Sequence, residues 1–442
     1  MMSEGRSASV PLTHRRVLAI AGPIVLSNAT VPILGVVDTG VVGQMGLAAP
    51  IGAVGLGSSI VTAIYWLFGF LRMGTSGMTA QAQGGDDAEE VTALLVRGLI
   101  IGLAAGMALI LLQPLLFAAA LRVAPGSPEV EALARSYMAI RIWSAPAAIA
   151  IYAITGWLIA LERTRAVLAL QVAMNGVNIL LDLWFVLGLG WGVHGVGLAT
   201  FAAEWGGLVL ALWFCRDVLR SPAARAWAQI ANRKRLIRMA AVNGDILIRT
   251  LLLLCVMVSF TFLSADFGDV TLAANQVLLQ FVSVTAFALD GFAFAAEALV
   301  GQAMGARARA SLRRSVVLTG QWGLGIGVLL SLVFAAFGGG IIDLMTVAPD
   351  VRIAARDFLP WMVAVPVLGV GAWMLDGVFI GATRTVDMRN MAALSVLVYG
   401  LGVVVLVPAF GAHGLWAAFL ISYVARGVTL ALRYPALERQ AG

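Results

Sequence analysis

Twelve apolar stretches alternate with short polar breaks along the whole chain, at residues 17–43, 50–78, 91–120, 131–159, 166–188, 195–216, 236–262, 271–303, 312–337, 351–380, 388–410 and 413–434. A helix needs about 20 apolar residues to cross a bilayer. Each stretch is that long or longer, so the pattern predicts twelve transmembrane helices. Several exceed what the hydrocarbon requires, which predicts tilt, kinking or extension into the headgroups. Pro23 and Pro32 fall inside the first stretch. Each removes a backbone donor, which predicts a bend there.

Composition agrees with the pattern. Of 442 residues, 61% are hydrophobic and only 12% charged, with mean hydropathy +0.95, against about 25% charged in soluble domains. The expected class is an all-α polytopic membrane protein. The net charge of +6 comes almost wholly from arginine, with Lys234 the only lysine. In a membrane protein such an excess reports topology before it reports nucleic acid. The termini and even-numbered loops hold 20 of the 29 basic residues, Arg6 among them, and the odd-numbered loops four. By the positive-inside rule both termini face the cytoplasm. One loop dissents: Gly84–Glu90 should be cytoplasmic yet carries Asp86, Asp87, Glu89 and Glu90. Acidic residues weigh little in that rule, so the orientation stands. The first stretch is too long for a signal-peptide core. Cys215 and Cys255 both lie in apolar runs and imply no disulfide framework. The three histidines are scattered, and the chain has no phosphate-binding loop or dinucleotide fingerprint.

The longest connection, about 217–235, is polar and basic and contains Pro222. It divides the chain into an N-terminal lobe (1–216), a cytoplasmic linker (217–235) whose basic face would lie on lipid headgroups, and a C-terminal lobe (236–442). The halves repeat one another. AQAQGG at 80–85 matches GQAMGA at 301–306, and GWLIALERTR at 156–165 matches GVFIGATRTV at 377–386, both at an offset of 221. GVHGVGLA at 192–199 matches GAHGLWAA at 411–418 at an offset of 219. Each half holds an even number of spans, so the copies share one orientation about an axis along the membrane normal. The expected fold is two pseudo-symmetric six-helix lobes around a central cavity, moving by rocking of one lobe against the other. His194 and His413 occupy equivalent Gly-rich turns, which reads as turn architecture.

Asp38 stands in the otherwise uncharged stretch 31–46, VPILGVVDTGVVGQMG. A carboxylate at mid-membrane costs about 2.5–3.5 kcal/mol on insertion scales. It persists where it faces a wet cavity, has a partner such as Arg141, or takes up a proton. The reading is that Asp38 lies in a cavity and loads and unloads a cation. Asn175, Asn178 and Asp182 in the fifth span are spaced i, i+3, i+7 and share one helix face. Two carboxamides and a carboxylate suit a proton or an oxygen-preferring cation such as Na⁺, or else they hold helices together by hydrogen bonds. Thr200 in the sixth span could add a hydroxyl. Asp245 and Arg249, i and i+4, read as an intrahelical ion pair. Asp290 and Glu297 share a face of the eighth span, and Asp376 lies late in the tenth. These three could form a second cation site or line a substrate path. Glu204 and Arg426 read as structural. Tyr65, Trp66, Phe68 and Phe70 in span two, and Phe281, Phe287, Phe292 and Phe294 in span eight, could hold organic cations or simply pack.

The segments VDTGVVGQMG (37–46), FGFLRMGTSGMTAQAQG (68–84), NGVNILLDLWFVLGLGWGVHGVG (175–197), NGDILIRT (243–250), DGFAFAAEALVGQAMG (290–305) and DGVFIGATRTVDMRN (376–390) together resemble the multidrug and toxic compound extrusion (MATE) family, and within it the bacterial DNA-damage-inducible protein F branch. The resemblance covers about residues 15–434. It implies an inner-membrane antiporter, not an enzyme, that exports amphipathic, often cationic compounds in exchange for H⁺ or Na⁺. H⁺ is favoured by the branch. The implied N-lobe cation site is Asp38, Asn178, Asp182 and Thr200, which would also be the Na⁺ ligands, and Pro23 matches the first-helix proline associated with bending. No cofactor beyond the coupling ion is expected, and the expected partners are small-molecule substrates and the lipid bilayer, not nucleic acid. The two-lobed repeat makes a monomer sufficient. The alternatives are Na⁺-coupled efflux by the same fold and a lipid-linked oligosaccharide flippase. The latter predicts a basic cavity, whereas the buried acids here favour cationic cargo.

Overall fold

The computed structural model describes residues 12–44, 48–124 and 126–441. Arg6 and the other residues of the first eleven, the end of the 31–46 stretch at 45–46, and Gly442 lie outside them. Among the described residues there is no strand. Twelve long helices follow in order: α1 (His14–Gly43), α2 (Ala49–Gly84), α3 (Ala88–Val123), α4 (Pro128–Ala160), α5 (Thr164–Gly188), α6 (Gly192–Phe214), α7 (Arg233–Ala265), α8 (Asp269–Gly305), α9 (Arg309–Met345), α10 (Pro349–Gly381), and α11 and α12 over 385–410 and 412–439. Gly411, at φ 56° and ψ −133°, separates the last two. Only glycine adopts such backbone angles without strain.

Helix α1 is continuous through both prolines. Pro23 cannot bond the carbonyl of Ala19, one turn back. That carbonyl instead accepts from Thr164 Oγ1 of α5 at 3.2 Å. A neighbouring helix supplies the missing donor, as bilayer burial requires. Helix α7 starts at Arg233, beyond the apolar edge, because Asn232 caps it by accepting from the backbone N–H groups of Lys234 (3.1 Å) and Arg235 (3.3 Å).

The duplication is visible in backbone detail. Asp86 and Arg307, 221 residues apart, both take positive φ (56° and 51°), as do Glu162 and Thr383 (58° and 50°). Within each lobe the same two helices cross at a glycine. A Cβ on Gly156 would lie 2.2 Å from the Arg72 carbonyl oxygen, and one on Gly377 would lie 2.4 Å from that of Ala293. Between the lobes, α2 and α8 cross at Gly84 and Gly305. A Cβ there would lie 2.0 Å from the Gln302 carbonyl oxygen and 1.9 Å from that of Gln81, respectively. The glutamines beside this crossing act reciprocally: Gln81 Nε2 donates to the Gly381 carbonyl at 3.1 Å, and Gln302 Nε2 to that of Ala160 at 3.0 Å. Arg16 of α1 adds bonds to Glu162 (2.9 Å) and to Gln302 (3.0 Å).

The lobes are therefore tied at the end where the described chain begins. Among the described residues no hydrogen bond joins them at the opposite end. One apolar core runs through the N-terminal lobe and across the tied end, and a second belongs to the C-terminal lobe alone, around Phe260, Trp416 and Phe419. The linker folds into three short helical turns, Arg216–Leu219, Pro222–Arg225 and Trp227–Ile230. Buried Arg97 of α3 donates to the carbonyls of Ile230 (2.8 Å) and Gln229 (2.7 Å) and pairs with Glu90 (2.8 Å). Arg235 pairs with Glu90 and Asp87. The acidic 84–90 loop thus lies on the same end as the basic linker and neutralises it, which accounts for its departure from the charge rule.

Because the Gly84–Gly305 crossing admits no side chain, Gly305→Ala must push the lobes apart at the tied end. Overpacking of this kind costs about 1–3 kcal/mol. The expected outcome is a shift of roughly tenfold or more toward the state open at this end, read as longer spin-label distances across the junction by pulsed electron resonance.

Candidate functional site

Two polar sites lie in the apolar body. The first is inside the N-terminal lobe. Helix α5 carries buried Asn175, Asn178 and Asp182 on one face. It then widens into a π-turn over Leu183–Gly188, a feature common at functional sites. Asp182 is fully buried. The Asn178 amide, with its NH₂ toward Asp182, donates to Asp182 Oδ2 at 3.1 Å. Its oxygen accepts from the Thr200 backbone N–H at 3.1 Å and from Thr200 Oγ1 at 3.0 Å. The Asp38 carboxyl of α1 meets that of Asp182 within hydrogen-bonding reach. Asp38 Oδ1 and Asp182 Oδ1 are both buried without a partner. Two ionised carboxylates in contact repel strongly away from water, and a cation between them removes the repulsion.

The structure thus brings together Asp38, Asn178, Asp182 and Thr200. Asn175 stands apart. It donates to Thr30 Oγ1 of α1 at 2.8 Å and accepts from Gln171 at 3.0 Å, so it fastens α5 to α1. Arg141 is not Asp38's salt-bridge partner; it pairs with Glu204 at 2.7 Å, and Tyr65 donates to the Arg141 carbonyl.

The second site is a cavity of about 420 Å³ between the lobes. Asp38 does not line it, contrary to the expectation that Asp38 lies in the central cavity. Asp290, Glu297 and Asp376 all do, and so do Arg72, Arg249 and Arg426. The buried acids therefore do not by themselves select cationic cargo. Glu297 is paired with Arg72 of the opposite lobe at 3.1 and 3.4 Å, and the Arg72 guanidinium lies 3.8 Å above the Phe294 ring. Asp376 is paired with Arg249. The expected intrahelical Asp245–Arg249 pair is absent: Asp245 accepts from Arg389 (2.6 Å) and Thr385 (2.9 Å) at the start of α11. Arg249 turns to the cavity because a buried guanidinium needs the acid that α10 presents there. Asp290 makes no hydrogen bond or ion pair among the described residues.

The aromatics divide. Trp66, Phe287 and Phe294 line the cavity, with Trp373, Phe419 and Tyr423 from later helices. Phe281 packs on Phe334, and Phe292 stacks on Trp322. His194 bonds Ser136 (2.6 Å), and His413 bonds Asp357 (3.1 Å), at matching positions in the two lobes. Arg72 was not singled out from the sequence, and Arg426, read there as structural, lines the cavity and pairs with Asp376 at 3.8 Å. A lone intramembrane arginine was the available signal in both cases.

Helix α1 joins the two sites. Asn28 Nδ2 donates to the Phe287 carbonyl at 3.1 Å. A Cβ on Gly291 would lie 2.4 Å from the Val25 side chain and 2.9 Å from the Ala21 carbonyl oxygen. Thus α1 presses on α8 to either side of Asp290, while its other end carries Asp38.

Twelve membrane helices in two repeated lobes, with an amphipathic cavity between them, define a membrane transporter rather than an enzyme. A profile of the MatE family matches twice, at residues 23–184 and 246–406, and the chain belongs to that family of multidrug efflux transporters. It is 38% identical to the DNA damage-inducible protein F of Escherichia coli (strain K12), over 93% of this chain and 90% of that one. It is 26% identical to a probable multidrug resistance protein NorM of Pseudomonas aeruginosa, over 95% and 89%. The Vibrio cholerae MATE transporter VcmN in its bent form superposes with a TM-score of 0.87, at 20% identity and covering 97% of each chain.

Breaking a buried ion pair by removing one partner costs about 3–5 kcal/mol, whereas replacing both with apolar residues is often neutral. Glu297→Gln and Arg72→Gln should each lower the melting temperature of the purified protein by several degrees. The double replacement by methionine should recover most of the loss. Additive losses in that thermal-shift cycle would show that the two side chains do not depend on each other.

Proposed function

We propose that this chain is a proton-coupled antiporter that exports amphipathic compounds bearing a cationic group across a bacterial inner membrane. Lobes 1–216 and 236–442 rock about the 217–235 linker, and both termini are cytoplasmic. On that orientation the tied end is the cytoplasmic end, and the cavity faces outward.

The observation that carries the reading is the contact between the Asp38 and Asp182 carboxyls, each with an oxygen lacking a partner. A proton shared between them needs no further ligand. Na⁺ would require more oxygens, and Asn178 offers the pair its NH₂ rather than its carbonyl. Proton entry lets the two carboxyls close on one another and draws the end of α1 against α5. Because α1 also presses on α8 beside Asp290, its displacement alters the cavity wall and loosens the substrate. After substrate release the lobes rock, and the proton leaves on the other side. Coupling rests on this difference in affinity between states. Pro23 and Pro32 give α1 two points at which such a displacement costs few hydrogen bonds.

The test is efflux of a fluorescent organic cation from liposomes. A pH gradient alone should drive it. Asp38→Asn, at equal abundance, should reduce it by about tenfold or more. Transport that needs a Na⁺ gradient instead would overturn proton coupling, and normal efflux by Asp38→Asn would overturn the site.

A further inference from the structure

The turns that the repeat places at the tied end carry opposite charge in the two lobes. At the 221-residue offset Asp86 corresponds to Arg307 and Ala88 to Arg309, while Thr92 and Ala93 correspond to Arg313 and Arg314. The backbone is shared, with Asp86 and Arg307 both at positive φ. In the N-terminal lobe the acidic turn is covered by the chain itself. Asp87 and Glu90 pair with Arg235, and Glu90 also with Arg97, which holds the linker carbonyls. In the C-terminal lobe Arg309 meets Glu438 of α12 at 3.2 Å. Arg307, Arg313 and Arg314 are exposed and make no hydrogen bond or ion pair among the described residues.

These guanidinium groups stand where α9 enters the apolar body. Leu312 is buried in the core and fixes the roll of the helix. Arg313 and Arg314 then flank the top of a stripe formed by Val317, Leu324 and Val328, which share one helix face and are all exposed. Exposed apolar side chains on a membrane-spanning helix face acyl chains. Arg313 lies one turn from Arg309, and both are within electrostatic reach of Tyr434 on α12. Lipid-facing apolar surface therefore ends in four arginines answered by one acid. The complement of such a surface is an amphiphile with an anionic head, whose phosphate matches the guanidinium fork.

We infer that the start of α9 is a docking site for an anionic phospholipid of the leaflet at the tied end, with the phosphate on Arg313 and Arg314 and the acyl chains along Val317, Leu324 and Val328. The inference goes beyond the transport reading and requires only that the chain span a membrane. The N-terminal lobe has no such site, because its own linker satisfies the matching turn. A bound lipid braces α9 against α12 beside the Arg309–Glu438 pair. An acidic protein segment would answer the arginines but leave the apolar stripe below them unused.

The experiment counts lipids retained by the purified full chain in native mass spectrometry, after addition of phosphatidylglycerol or of phosphatidylcholine with the same acyl chains. Phosphatidylglycerol should bind about tenfold or more tightly, since each arginine beside an anionic headgroup strengthens attachment about fivefold. Arg313→Gln combined with Arg314→Gln should bring the ratio to about unity, and the corresponding pair of lysine replacements should retain most of it. Both side chains are exposed, so without lipid the glutamine variant should melt at the temperature of the unaltered chain. Phosphatidylglycerol should raise the melting temperature of the unaltered chain and leave that of the variant where it was. Arg220→Gln combined with Arg225→Gln, in the equally exposed linker, should leave the lipid ratio unchanged. Equal binding of the two lipids by the unaltered chain would overturn the inference, as would an equal loss in the linker variant, which would mark a diffuse effect of charge. Displacement of the lipid by an equal concentration of glycerol phosphate would overturn it in favour of a soluble anion.

Discussion

The ion pair between Arg72 and Glu297 sets the frame for the rest of the molecule. Each charge sits on a different lobe, deep in an apolar body where neither could persist alone. Their pairing requires the lobes to meet, and the glycines at the α2–α8 crossing let them meet closely. The same requirement runs through the protein. Arg97 is matched by Glu90 and linker carbonyls, Arg141 by Glu204, Asp245 by Arg389, and Asp376 by Arg249. Against that background the groups without a partner of opposite charge stand out: the Asp38–Asp182 contact and Asp290. In a bilayer an uncompensated charge has a cost at all times, so it persists where something mobile completes it.

The two sites are separate, and that separation determines what can couple them. A cation at Asp38 cannot compete directly with a molecule in the cavity, because Asp38 does not line the cavity wall. The link has to be mechanical. Helix α1 fits this role on three grounds: it carries Asp38, it is bonded to α5 through Thr30 and Asn175, and it lies against α8 at Phe287 and Gly291. A continuous helix that carries two prolines, with one freed carbonyl already served by a neighbour, can change shape without exposing new unpaired polar groups.

Much of this was legible in the sequence. Span count, duplication and the helical face shared by Asn178 and Asp182 are periodic signals, and periodicity depends only on local geometry. Thr200 was placed by resemblance and stands against Asn178. What failed was partner choice. Asp245 and Arg249 are neighbours on one helix, so the sequence suggests their pairing, but Asp245 turns to Arg389 and Arg249 to Asp376, 144 and 127 residues away. Ion pairs between helices follow from tertiary packing, which spacing along a single helix does not encode. The same limit hid Arg72, whose partner lies in the other lobe.

The repeat sharpens the point about function. Where the 221-residue offset is fixed by the matching Gly156 and Gly377 crossings, Arg72 corresponds to Ala293, Glu297 to Ser76, Asp376 to Thr155 and Asp290 to Gly69. None of these four charges has a charged counterpart. The elements that hold the lobes together are symmetric: paired glycines, paired glutamines, paired left-handed turns. Symmetry suits a contact that closes one end, because both lobes present the same surface to the axis between them. It does not suit the coupled export proposed above, in which one lobe would respond to a small cation and the other to a larger molecule. A duplicated scaffold that kept its contacts and diverged in its charges satisfies both demands, which is why the acids and arginines of the cavity, rather than the repeat, carry the information about what is transported.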